Sequence, residues 1–205
     1  MKKNILLVII LSVSLTFNAC KAWSSFTDGI ASLFSGYAYK GEIYLYKHKR
    51  WLKGKKIFLD PGHGGNSRND HFRIGPNGVT EAEVNLRVAL MLYSMLKDAG
   101  AVVKMSRYSD INVPLEDRVD QVKKFKPSLF IGIHHNGSFR RNERINYPNV
   151  LVWGNKFIRP ASFDFAKYLL DEFHQIMDSK GTIVSDFAIF TETGTRLLRK
   201  TRYVC

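Results

Sequence analysis

The chain has 205 residues, 45% of them apolar and 24% charged, which allows one domain with its own core plus a small appendage. Two cysteines, Cys20 and Cys205, exclude a disulfide framework, and no repeat or low-complexity tract is present. Thirty-one Lys and Arg against 18 Asp and Glu leave a net charge of +13, which favours a polyanionic partner such as nucleic acid, an anionic lipid surface or an acidic wall polymer.

The N-terminus narrows that choice. Residues 1–20, MKKNILLVIILSVSLTFNAC, carry two lysines, then an apolar run from Ile5 to Phe17 too short for a membrane span, then Ala19-Cys20. This is the layout of a secretory signal. Cys20 after a small residue resembles a lipobox, with lipidation of Cys20 as the expectation and an ordinary cleaved signal or an uncleaved anchor as the alternatives. Export argues against nucleic acid and leaves the cell wall or the membrane surface. Residues 21–53 read as a tether and lead-in.

From Lys55 the pattern becomes regular. Ile57-Phe58-Leu59, stopped by Pro61-Gly62, predicts a buried strand. Thr80 with Glu83 three residues on forms a capping box. Val84, Val88, Met91, Leu92 and Met95 then follow at helical spacing, with Gly100 just past the end. Residues 101–105 predict a second strand. Leu115, Val119, Val122 and Phe125 mark a short amphipathic helix, residues 129–133 a third strand and NVLVW a fourth. A long helix is expected over about residues 162–179, with Phe165, Leu169, Leu170, Phe173 and Met177 on its apolar side and Gly181 as its stop. Alternation of strand and helix predicts an α/β domain, a mostly parallel sheet with helices on both faces, spanning residues 54–205.

Ligands of such sheets bind outside the carboxyl ends of the strands, and two histidine-bearing segments fall there: DPGHGG after the first strand and HHN after the third. Glu81, in the first turn of the capped helix, belongs to the same edge. His63, Glu81 and His134 can therefore converge, and two imidazoles with one carboxylate and an open fourth position make a catalytic zinc set. Such a site lowers the pKa of a bound water to roughly 7. The glycines around His63 are expected to let a bulky substrate reach the metal. Each residue also has a plain structural reading: His63 as a turn residue, Glu81 as a charge favouring the helix dipole, and His134 or His135 as a core histidine. GHGG as a phosphate-cradling loop is weak, because no P-loop Lys-Ser/Thr and no complete G-x-G-x-x-G follows.

Three segments carry a resemblance. IFLDPGHGG, TEAEVNLRVALMLYSMLKDAGAVVKMSR and VPLEDRVDQVKKFKPSLFIGIHHNGS resemble the zinc-dependent N-acetylmuramoyl-L-alanine amidases, bacterial cell-wall hydrolases, over roughly residues 55–201. The resemblance implies one Zn2+ held by His63, Glu81 and His134, with His135 at a variable position and Asn136 as a candidate orienting group beside the ligands. It implies hydrolysis of the amide joining N-acetylmuramic acid to L-alanine in peptidoglycan, by an exported protein of the periplasm or cell envelope. Arg140, Arg141 and Arg144 are candidates for stem-peptide carboxylates, with a solvated charge cluster as the plainer reading.

The family also places a proton-shuttling glutamate on a late strand. The chain ends at RYVC, about where that strand is expected to begin, so the shuttle is expected beyond Cys205 and the last core strand and helix are expected to be absent. Glu192 precedes the helix-like RLLRK and sits on the wrong side of it for this duty. The alternative function is a non-catalytic peptidoglycan-binding or regulatory lipoprotein.

Overall fold

The computed structural model describes residues 49–65, 74–75, 78–135, 148–153, 157, 160–177 and 181–185. The signal-like segment, Cys20, most of the lead-in, Asn136, Arg140, Arg141, Arg144, Glu192 and Cys205 lie outside these residues.

The elements run α1 (Lys49–Leu52), β1 (Lys56–Pro61), α2 (Glu81–Asp98), β2 (Val102–Met105), α3 (Leu115–Phe125), β3 (Leu129–Ile133), β4 (Asn149–Val152), α4 (Pro160–Met177) and β5 (Thr182–Ser185). β1 is the centre of a three-stranded sheet in the order β2-β1-β3, parallel to both neighbours. Its apolar run has no polar face to give to water, which is why it takes the middle place. Ile57 and Leu59 face one side and join Val84, Val88, Leu92 and Ile133 in a core beneath α2. Phe58 faces the other side and joins Phe130, Val119 and Val122 beneath α3. The two clusters place α2 and α3 on opposite faces, and the expected parallel α/β architecture is what forms.

Two features differ from the sequence-based expectation. Among the described residues the strands form two sheets, since β4 pairs in parallel with β5 and α4 packs on that pair. β5 itself was not expected, because four residues after Gly181 are too few for a periodic signal. The last residues of the expected lead-in also form a helical turn, α1, whose Leu52 packs against the core.

The helix ends follow from local chemistry. Thr80 caps α2 by accepting from the Glu83 N–H at 3.2 Å, whereas the Glu83 carboxylate pairs with Arg87 one turn on, so half of the expected capping box is realised. At the other end Gly100 (φ +89°) turns the chain, with Gly100 N–H donating to Lys97 O and Ala101 N–H to Leu96 O, a Schellman stop.

Strand order positions the site. From β1 the chain crosses to β2 on one side, then passes back to β3 on the other. The direction reverses between β1 and β3, and the crevice outside the carboxyl ends of those two strands is where an open α/β sheet receives a ligand.

Candidate metal centre

At that crevice β1 runs into Gly62 and His63, and β3 into His134 and His135. The Gly62 N–H donates to Ile133 O at 3.0 Å, which ties the two strand ends together. Glu81 opens α2 at the same edge, on the buried stripe that continues through Asn85, Val88 and Leu92.

The structure brings together the three residues expected as a metal set. His63 Nε2 lies 3.2 Å from Glu81 Oε2, and His134 Nδ1 lies 3.1 Å from Glu81 Oε1. The imidazoles meet edge to face, with centroids 4.9 Å apart. One ligand atom from each of the three falls within 4.8 Å of the others. Two imidazoles and one carboxylate at this spacing make a set that can hold a metal ion, and their donor chemistry is that of zinc. Glu81 forms the buried floor, while the His134 side chain is 46% exposed, which leaves one side open.

Burial by itself raises the Glu81 carboxyl, but hydrogen bonds and charge from His134 and His63 outweigh it and hold the group well below the usual carboxylate range. The backbone N–H of His135 donates to Glu81 Oε1 at 3.1 Å and fixes the carboxylate's tilt. The His135 ring turns away from the group: its Nδ1 lies 2.7 Å from Asn85 Oδ1. Burial pushes this imidazole down to about 4, against the Glu81 charge, which raises it, and with the His134 charge, which lowers it. His135 is thus neutral at neutral pH.

The glycines serve a packing purpose in addition to the substrate access expected from sequence. A Cβ at Gly62 would stand 2.1 Å from His134 Cε1, so the imidazole lies over the bare Cα. A Cβ at Gly64 (φ +127°) would stand 2.2 Å from the Ile111 carbonyl oxygen. The protein itself fills the Cβ side of both glycines.

Sequence reasoning missed what holds this loop. His63 has φ +61°, a left-handed conformation that costs a non-glycine residue roughly 1–2 kcal/mol. Two buried arginines fasten it. Arg118 donates from Nη2 to His63 O at 2.7 Å, from Nη1 to Pro61 O at 2.9 Å and to the Asp60 carboxylate, and from Nε to Val113 O at 2.9 Å. Arg107, 1% exposed, donates to Pro61 O, Gly62 O and Ala82 O at 3.0, 3.0 and 2.7 Å. Burial, and then the neighbouring Arg118 charge, lower Arg107 below the usual arginine value. Ser106 Oγ donates to Asp60, and Asn85 Nδ2 donates to Gly62 O at 3.1 Å. The signal for Arg118 was present: it sits among Leu115, Val119 and Val122 on the apolar stripe of α3, where a charge demands a buried partner.

The comparisons with known proteins agree with this geometry. The family model described as N-acetylmuramoyl-L-alanine amidase matches residues 57–201. N-acetylmuramoyl-L-alanine amidase AmiA of Salmonella typhimurium is 32% identical over 140 residues, 68% of this chain and 46% of that protein. The AmiA of Escherichia coli is 34% identical over 134 residues, 65% of this chain and 44% of that protein. The chain therefore spans less than half the length of these two relatives. Among solved structures, the catalytic domain of CwlV, an N-acetylmuramoyl-L-alanine amidase from Bacillus (Paenibacillus) polymyxa var. colistinus, superposes with a TM-score of 0.54 at 25% identity, covering 68% of this chain and 75% of that one. N-acetylmuramoyl-L-alanine amidase from Clostridium difficile 630 shares the fold at TM-score 0.56 and 20% identity, covering 74% and 76% of the two chains. With the match running from β1 through all three converging residues, the chain belongs to the N-acetylmuramoyl-L-alanine amidase family.

Proposed function

We propose that this chain hydrolyses the amide between N-acetylmuramic acid and L-alanine in peptidoglycan, using one zinc ion held by His63, Glu81 and His134. The observation that carries the reading is the convergence of these donors, from three separate elements, at the crevice where the strand order reverses. Zinc bound there supplies Lewis acidity toward a substrate carbonyl and water.

The protein's own described residues hold and orient that ion. Glu81 brings a negative charge to the floor of the site and keeps it ionised through its two histidine partners. His63 and His134 offer imidazole nitrogens whose directions are set by the clamped loop and by the end of β3. Asn85 bridges Gly62 O and the His135 ring and so ties the two strand ends together. Residues 54–205 carry this catalytic unit in our reading. Asn136, Arg140 and Arg141, which follow His134 in sequence, are candidates for orienting the ligands and for stem-peptide carboxylates. The N-terminal segment directs the protein to the periplasm or envelope, and Cys20 is its proposed lipid attachment point.

The test is incubation of the zinc-loaded protein with purified sacculi, scoring new L-alanine amino groups on stem peptides. Release by wild type and none by His63→Ala supports the proposal. Retention on sacculi by both proteins, without release by either, overturns it in favour of a non-catalytic wall-binding lipoprotein.

A further inference from the structure

The end of the domain opposite the metal centre has a character of its own. Because β1, β2 and β3 are parallel, their amino ends share one edge, about 20 Å from the carboxyl ends along a six-residue strand. Lys49, Arg50, Lys53, Lys55 and Lys56 enter this edge from α1 and the start of β1, all exposed. The helices return to it: Gly54 N–H donates to Gly100 O just past α2, and Lys56 Nζ donates to Phe125 O at the end of α3. They bring exposed Lys97, Lys123, Lys124 and Lys126 with them.

The acidic side chains segregate the other way. Glu81, Glu83, Glu116 and Asp117 occupy the first turns of α2 and α3, at the metal-centre edge, and Asp98 is the acidic residue in the last turn of α2. Helix dipoles account for lysines in the last turns. They do not account for five cations in the eight residues 49–56, which follow no long helix. Amid those cations Trp51 is 61% exposed, with the Arg50 guanidinium 4.9 Å from its ring centroid. An exposed indole beside a guanidinium suits the headgroup zone of a bilayer, where the ring sits at the apolar boundary and the cation meets phosphate.

We infer that this basic edge, centred on Trp51 and residues 49–56, docks on an anionic phospholipid surface and turns the metal centre away from the membrane. Continuity with the N-terminal segment favours lipid over an anionic wall polymer, since the edge is where the described domain meets the chain that carries the apolar run Ile5–Phe17. No helix among the described residues is long and apolar enough to cross a membrane. The docking contact is independent of the zinc reading, because none of its residues lies at the metal centre.

The experiment compares the full chain with an Arg50→Gln/Lys53→Gln/Lys55→Gln variant and with Trp51→Ala. Each is mixed with vesicles of phosphatidylglycerol and phosphatidylcholine, with vesicles of phosphatidylcholine alone, and with insoluble peptidoglycan. Each cation removed is expected to weaken partitioning to the anionic vesicles about fivefold at low salt, roughly a hundredfold for the triple variant. Trp51→Ala is expected to weaken it without changing the salt dependence. Equal partitioning of all three proteins overturns the inference, and so does a loss seen on peptidoglycan but not on vesicles.

Discussion

The imidazole of His134 lies over the bare Cα of Gly62, so close that a single methyl there would stand 2.1 Å from the ring. Gly62→Ala is therefore expected to displace one of the three proposed metal donors without replacing any of them. Outer contacts that orient a ligand are typically worth 10–100-fold in metal affinity, and a loss of that size is expected here. Competition with a chromophoric chelator measures it, with circular dichroism confirming that the fold survives. Unaltered affinity in a folded variant would refute the tight seat.

Glu81 can be neutralised almost without change of shape. In Glu81→Gln the two imidazoles lose the charge they share, and zinc binding is expected to fall below detection. The readout is thermal: wild type is expected to gain about 2.7 kcal/mol at a zinc concentration a hundredfold above its Kd, and a chelator should reverse the gain. The variant should melt at one temperature under all three conditions. A zinc-dependent rise in the variant would remove Glu81 from the ligand set.

Arg118 reaches Val113 O, Asp60, Pro61 O and His63 O at once, with a planar fork that a lysine ammonium cannot imitate. Arg118→Lys keeps the charge and abandons some of these acceptors, at an expected cost of about 2–3 kcal/mol in urea unfolding. Because His63 loses the donor to its carbonyl, zinc affinity should fall as well. A surface arginine such as Arg87 supplies the control, and Arg87→Lys should leave both quantities unchanged.

Thr80 places Glu81 by starting the helix. Thr80→Ala removes the acceptor for the Glu83 N–H and should lower stability by about 1 kcal/mol, while Thr80→Ser should lower it much less. Equilibrium urea denaturation distinguishes the two, and equal loss in both variants would assign the effect to the lost methyl.

The legible parts of this molecule are those in which neighbours in sequence decide the outcome. β1 could be read because Ile57-Phe58-Leu59 is an unbroken apolar run, and α2 because Thr80 and Gly100 bracket a helical stripe. The ends of these elements, with that of β3, bring His63, Glu81 and His134 to one edge of the sheet. The illegible parts depend on distant partners. Nothing local to Gly64 announces that the Ile111 carbonyl will occupy its empty side. Nothing local to Arg107 announces the loop carbonyls around it, and the place of Arg118 on the apolar stripe of α3 calls for a buried partner without naming Asp60 or the His63 carbonyl. The division into two sheets was equally hidden, because β5 is too short to show a period.

The strand order has a further consequence, for the route by which the chain acquires metal affinity. With β1 parallel to both neighbours, no hairpin can bring its ends together, and both crossovers must close before His134 meets Glu81, 53 residues away. Non-local contacts of this kind reward the chain only after the loop-closure entropy has been met. Zinc is then expected to behave as a lock on the finished domain: it should slow unfolding in proportion to its binding energy and leave the refolding rate almost unchanged. Stopped-flow unfolding and refolding with and without the ion would show whether the clasp closes last.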